Sequence, residues 1–211
     1  MKLDRWQIVA LVAVVVAVLL AGTYYEFGGG DQPVAVKLAG KWGYIDRTGK
    51  VLINPQFDAI YLTSVPERLI PVELGNKWGY IDRNGNYAIN PQFDTATAFS
   101  KSSGLAAVSV GGKWGFIDAS GKYVVNPQFD SAGQFDDRSG LAAVLVNGKW
   151  GYIDTSGKYV INPQFDGAGP FNKKTGLAIV TLSGKWGLID KSGQYVVNPQ
   201  YDQIFQPDPA D

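Results

Sequence analysis

The side chains able to do chemistry in this chain recur instead of converging. Asp46, Asp82, Asp118, Asp154 and Asp190 lie 36 residues apart, and Asp58, Asp94, Asp130, Asp166 and Asp202 keep the same step. Paired carboxylates serve as general acids and bases, and alternating ones ligate calcium. The first series stands in Asp-x-x-Gly, which lacks the alternating oxygens of an EF-hand loop. It fits a turn whose leading aspartate accepts backbone N–H groups. The second series follows Pro-Gln-aromatic and reads as strand-exit residues. The chain of 211 residues has no histidine and no cysteine. That removes the commonest general base, the usual triad partner, disulfides and thiolate metal sites. No serine and lysine are marked as nucleophile and base, and outside the repeating carboxylates Glu67 and Glu73 offer a weak acidic pair. The expectation is a non-enzymatic protein with no cofactor and no catalytic or metal-binding residues.

What positions these residues is a repeat. Trp42, Trp78, Trp114, Trp150 and Trp186 follow one another at 36 residues without insertion or deletion, each inside Lys-Trp-Gly-(Tyr/Phe/Leu)-Ile-Asp. A constant period means one supersecondary unit copied in tandem and packed on its neighbours. Residues common to every copy are then scaffold, and specific activity belongs where the copies differ.

The third copy shows the unit. Leu105 to Val110 is rich in strand formers and ends at Gly111-Gly112, Lys113 to Asp118 is a second strand, and Lys122 to Val125 is a third. Asp118-Ala119-Ser120-Gly121 fits a type I turn closed by a left-handed residue. Asn126-Pro127 interrupts the third strand, since proline lacks an N–H. Each copy is thus a three-stranded antiparallel meander plus a connection carrying Phe135 or its counterpart. Trp114 and Phe116 share one face and Gly115 and Ile117 the other. The glycines Gly43, Gly79, Gly115, Gly151 and Gly187 leave a notch where a neighbouring sheet can approach. The aromatic face is expected to pack on the adjacent copy as a stack of tryptophans, the repeat core; the competing reading is an aromatic platform for a sugar.

These motifs resemble those of the WG-repeat (KWG-repeat) proteins. Leu141-Ala142-Ala143-Val144, Lys149-Trp150-Gly151-Tyr152-Ile153-Asp154, Gly157-Lys158 and Pro163-Gln164-Phe165-Asp166 carry the resemblance, which extends from about residue 33 to the C-terminus. It implies an all-β array of the kind common in bacterial envelope proteins and little about activity. The array over 33–211 is either a small propeller-like ring or an open β-solenoid, and the weakly differentiated end copies favour closure.

Ahead of the array, 8–27 is uncharged apart from Glu26, long enough for a transmembrane helix. Lys2 and Arg5 in the segment 1–7 place the N-terminus in the cytoplasm, with Trp6 at one interface and Tyr24 and Tyr25 at the other. A cleaved signal peptide is the alternative, but Ala21-Gly22 is a poor cleavage site. Thr23 stands where a lipoprotein would carry cysteine. Residues 28–32 then form a tether. Ala10, Ala13, Ala17, Ala21 and Gly22 permit close helix approach.

Two departures stand out where the first copy passes into the second. Pro71 stands where Ala107 and Ala143 occur and predicts an edge or bulged strand. Glu67, Arg68 and Glu73 form the most individual polar cluster, a candidate partner contact or a drifted loop. Basic and acidic residues balance at 19 each, which argues against nucleic acid as a partner. The leading expectation is a scaffold anchored in the bacterial inner membrane with its repeats on the periplasmic side. There it would be an accessory subunit of a larger membrane assembly, for example respiratory or photosynthetic. The alternative is a carbohydrate or cell-wall binding module using Tyr123, Tyr159 and Tyr195.

Overall fold

Strand-forming segments broken every few residues by Gly or Asp-x-x-Gly produce short antiparallel strands and nothing else among the described residues. The computed structural model describes residues 33–61 and 69–205. The span at 8–27, its flanking Lys2, Arg5, Trp6, Tyr24 and Tyr25, and Glu67 and Arg68 lie outside them. Among the described residues no helix is long and apolar enough to cross a membrane.

The first sheet holds β1 (Val34–Leu38), β2 (Lys41–Ile45) and β3 (Val51–Phe57). The second holds β4 (Ala59–Ile60), β5 (Ile70–Leu74), β6 (Lys77–Ile81) and β7 (Tyr87–Phe93). The third comprises β8 (Thr95–Ala96), β9 (Ala106–Val110), β10 (Lys113–Ile117) and β11 (Tyr123–Phe129). In the fourth are β12 (Ser131–Ala132), β13 (Ala142–Val146), β14 (Lys149–Ile153) and β15 (Tyr159–Phe165). The fifth has β16 (Gly167–Phe171), β17 (Ala178–Leu182), β18 (Lys185–Ile189) and β19 (Tyr195–Tyr201). Four of the sheets therefore have four strands, one more than the meander predicted. The extra strand is the tail of the preceding copy, so each sheet is sewn to its predecessor.

The third strand does not stop at its proline. It runs through Asn-Pro to the aromatic residue and bulges over the glycine there: Trp114 pairs with Phe129 and Phe116 with Val125, so three residues of β11 oppose Gly115 alone. Such a bulge frees the proline from the ladder bond it cannot make. The notch at glycine thus admits the same sheet's own strand, and the expectation of a neighbouring sheet is corrected. A Cβ on Gly115 would lie 2.5 Å from the Val125 carbonyl oxygen and 2.7 Å from the Pro127 nitrogen. Gly43, Gly79, Gly151 and Gly187 meet the same backbone atoms of their own copies.

The core lies between consecutive sheets. Ala107, Phe116, Val125 and Phe129 of the third sheet pack on Ala142, Val144 and Ile153 of the fourth, and the other junctions repeat this arrangement. The aromatic face does meet the next copy, but tryptophan is not its centre. Phe57, Phe93, Phe129 and Phe165 are at most 1% exposed, whereas all five tryptophans are half-buried at the margins. The ring pairs that cross the junctions are edge-on Phe57–Tyr87, Phe93–Tyr123, Phe129–Tyr159 and Phe165–Tyr195, in place of a tryptophan stack. Each buried phenylalanine contributes about 2–3 kcal/mol of hydrophobic stabilisation.

Pro71 is in neither an edge nor a bulged strand. It pairs in register with Tyr80 while its carbonyl accepts the Tyr61 N–H at 3.0 Å. The equivalent Ala107 N–H points at Thr97, beyond the end of the two-residue β8, so the N–H that proline lacks belongs to no ladder. Among the described residues the array is also open. β1 has no strand on its outer edge among the described residues, and Tyr201, the last copy's counterpart of Phe165, is 51% exposed. Closure into a ring, the favoured expectation, is not what these residues form.

Candidate functional site

The aspartates of the first series do what the turn reading requires. Asp118 Oδ1 accepts the Ser120 N–H at 2.9 Å, the Ser120 hydroxyl at 2.6 Å and the Lys122 N–H at 3.1 Å. The hydroxyl bond, aided by the backbone bonds and opposed by desolvation, holds its carboxyl below the usual carboxylate range. The turn glycine following has φ of +85°, which a left-handed closing residue needs.

The second series does more than end a strand. Asp130 pairs with Lys113 of its own copy through one oxygen and accepts the Asn147 N–H of the next copy through the other, at 2.8 Å. Asp58, Asp94 and Asp166 join Lys41, Lys77 and Lys149 to the N–H groups of Gly75, Gly111 and Ser183 in the same way. These are clasps between copies. The lysine bond and then the amide bond depress each carboxyl. A clasp joins residues 17 apart across a sheet junction, so no local pattern could disclose it.

Among the described residues neither aspartate series converges on one place. The place where the copies differ and still converge is a cleft of about 560 Å³ between three consecutive connections, Ala98–Lys101, Ala132–Asp137 and Ala168–Lys173. Each connection is anchored by an aromatic side chain. Phe99 packs on Tyr80, Phe135 on Phe116 and Phe171 on Tyr152, with ring centroids 4.9, 4.7 and 5.1 Å apart. Tyr80 and Tyr152 also donate their hydroxyls to the carbonyls of Thr97 and Gly169, at 2.8 and 2.7 Å. Burial pushes the Tyr152 hydroxyl above its ordinary range, so it stays a donor.

The polar lining does not repeat. Gln134 donates to the Ala98 carbonyl at 3.1 Å, and Asp137 accepts the Ser100 hydroxyl at 2.8 Å and the Ser102 N–H at 3.1 Å. Desolvation raises the Asp137 carboxyl, but the Ser102 and Ser100 bonds outweigh it and the net shift is downward. Arg138 donates to the Lys173 carbonyl, and Lys191 reaches back to the Arg138 carbonyl at 3.0 Å. Lys101, Asp137 and Lys173 occupy the same position of successive copies, so a plus-minus-plus row crosses the mouth of the cleft. Trp150 is the one tryptophan among the lining residues.

Of the individual cluster expected from sequence, only Glu73 is described. It lies on β5 opposite Trp78 and Ala59, away from the cleft lining. Gln134, Asp137 and Arg138 were passed over although a column-by-column comparison exposes them. Their counterparts are Ala98, Lys101 and Ser102 in the copy before, and Pro170, Lys173 and Lys174 in the copy after. Among the described residues no group of three His, Cys, Asp or Glu is arranged to hold a metal ion.

A model of the WG containing repeat matches residues 42–78, 78–114, 114–150, 150–186 and 186–207, almost the whole array. The chain belongs to this family. No curated protein matches the WG-repeat chain. Among solved structures it is similar to Hsv2 of Kluyveromyces lactis, at 12% identity over 79% of this chain and 59% of that one, with a TM-score of 0.51. A eukaryotic initiation factor is similar at 11% identity over 82% of this chain and 51% of that one, TM-score 0.51. The WD40 beta propeller domain of Doa1 matches at 12% identity over 79% and 64%, TM-score 0.41. At such identities the likeness is one of fold. The WG-repeat chain spans between 51% and 64% of the length of these chains. The fold is thus a β-repeat architecture.

Proposed function

We propose that the repeats form a non-enzymatic binding module whose cleft between the connections of the second, third and fourth copies receives an extended segment of another membrane or envelope protein. The observation that carries this is the departure of the cleft from the repeat. The alternating Lys101, Asp137 and Lys173, with Gln134 and the half-buried Trp150, converge where scaffold needs nothing individual. A peptide with acidic groups flanking a basic one would complement that row, and an aromatic or aliphatic side chain would cover the indole. The apolar segment 8–27 supports an inner-membrane anchor, with the module on the periplasmic side as an accessory subunit of a larger assembly.

The test is capture of partners from detergent-solubilised membranes by the full chain, by a chain beginning at Asp31, and by a full chain carrying Lys101→Glu and Lys173→Glu. The expected result is one set of partners lost with the lysine changes. Partners insensitive to both lysines would refute the cleft reading. The carbohydrate alternative keeps one supporting observation. Tyr159 and Tyr195 are 37% and 39% exposed although their edges pack on the preceding phenylalanine. Retention of a polysaccharide, abolished by Tyr159→Ala and Tyr195→Ala, would favour it over protein binding.

A further inference from the structure

The array ends in two unlike surfaces, and each is half of a junction that the molecule forms internally four times. On the trailing side of the fifth sheet, Val197 and Tyr201 take the places of residues such as Ile161 and Phe165. The latter are 3% and 1% exposed, whereas Tyr201 is 51% exposed. On the leading side of the first sheet, Ile45 is half-buried where Ile81, Ile117, Ile153 and Ile189 are fully buried. Val51 there is 44% exposed, in the place where Tyr87 packs edge-on against Phe57. Gly49 has nothing near it, while Gly85, Gly121, Gly157 and Gly193 each touch the preceding copy's Ile53, Ile89, Val125 or Ile161.

The polar parts are left over in the same complementary way. Asp202 pairs with Lys185 and is 93% exposed, and among the described residues it accepts no turn N–H of the kind that Asp58, Asp94, Asp130 and Asp166 all accept. The corresponding N–H is that of Ala39, in the turn between β1 and β2. Gln203 and Ile204 occupy the positions of β4, β8, β12 and the start of β16, yet among the described residues they pair with no strand and the outer edge of β1 has no partner.

We propose that the trailing face of one chain docks on the leading face of a second copy. Tyr201 and Val197 then cover Val51, Gly49 and Ile45, Gln203-Ile204 adds the missing fourth strand to β1, and Asp202 accepts the Ala39 N–H. The occupant is a second copy because the chemistry required is that of the internal junction, already satisfied four times by this sequence. A surface of this kind is heterologous, so it propagates or closes into a ring of several chains, and one blocked face ends growth. The inference is independent of what the cleft binds.

The experiment is light scattering with sedimentation velocity on the full chain in mild detergent over a wide range of concentration. Its variants are Tyr201→Asp and Asp202→Lys at the trailing face and Val51→Asp at the leading face. All three positions are exposed, so the fold is expected to persist, and circular dichroism melting checks this. The wild type is expected to gain mass in multiples of the chain as concentration rises. Each variant alone is expected to lose all species above the monomer. An equimolar mixture of a trailing with a leading variant is expected to recover a pair of chains and nothing larger. A wild type monomeric throughout would overturn the proposal, its end faces being covered by its own termini. So would assembly that the variants leave unchanged, which would place the contact in the anchor or cleft, or a mixture that fails to pair.

Discussion

Replacing Gly115 by alanine is the sharpest test of why the tryptophan is always followed by glycine. The new Cβ would meet the Val125 oxygen at 2.5 Å, the Pro127 nitrogen at 2.7 Å and the Asn126 carbonyl carbon at 2.8 Å. All three are backbone atoms of the bulged strand, so no side-chain rotation relieves the contact. Bringing the closest one from 2.5 out to 3.4 Å needs a retreat of about 0.9 Å. That motion drags Phe129 and Val125 out of the junction with the fourth sheet, where they are 1% and 4% exposed. Overpacking of this kind costs about 1–3 kcal/mol, and a clash pinned by backbone on both sides belongs at the upper end. Restricting the unfolded chain returns only about 0.5 kcal/mol. For an array of this size, about 3 kcal/mol corresponds to a Tm lower by roughly 6–12 °C. Gly111→Ala is the control. It has nothing within 4 Å and a φ of +59°, so only the left-handed strain of about 1 kcal/mol is expected. Urea and thermal unfolding followed by tryptophan fluorescence would measure both. A Gly115→Ala protein within about 0.5 kcal/mol of wild type would refute the notch argument.

Three further outcomes follow from the same geometry. Phe129→Ala should cost about 3–5 kcal/mol, whereas Tyr201→Ala, at the matching position of the last copy, should cost under about 1 kcal/mol in the monomer. Equal losses in denaturant melts would mean that the fifth sheet's trailing face is covered in the single chain. Because the carboxyls of Asp58, Asp94, Asp130 and Asp166 are held below their unfolded values, the stability they supply is complete above the unfolded pKa. It is lost as pH falls through the folded pKa. Unfolding free energy should be level from about pH 5 to 8 and decline below about pH 4, and a step near pH 6.5 would contradict a chain without histidine. Tyr152→Phe removes the hydroxyl bond to the Gly169 carbonyl and should cost about 1 kcal/mol by chemical denaturation. A neutral result would show that water replaces the bond, since the third copy already carries Phe116.

The sequence by itself determined the parts governed by near neighbours. Asp-x-x-Gly made the turn at Asp118, the alternation around Trp114 put Phe116 towards the next copy, and the unbroken 36-residue step fixed five equal units. Those depend on dihedral preference and strand periodicity, which a few residues suffice to set. Tertiary structure alone decided the rest. The glycine notch received its own third strand because the Asn-Pro bulge swings inward, and Pro71 was harmless because β4 ends before the N–H it lacks. Phenylalanine took the junction centre while tryptophan stayed at its margin. The clasps from Asp58 to Asp166, the cleft gathering Lys101, Gln134, Asp137 and Lys173, and the open ends at Val51 and Tyr201 all bring together residues from different copies. Their positions follow from how each sheet sits on the last, a small rotation and offset that no single 36-residue unit encodes, since each unit's own sequence is satisfied by a range of stackings.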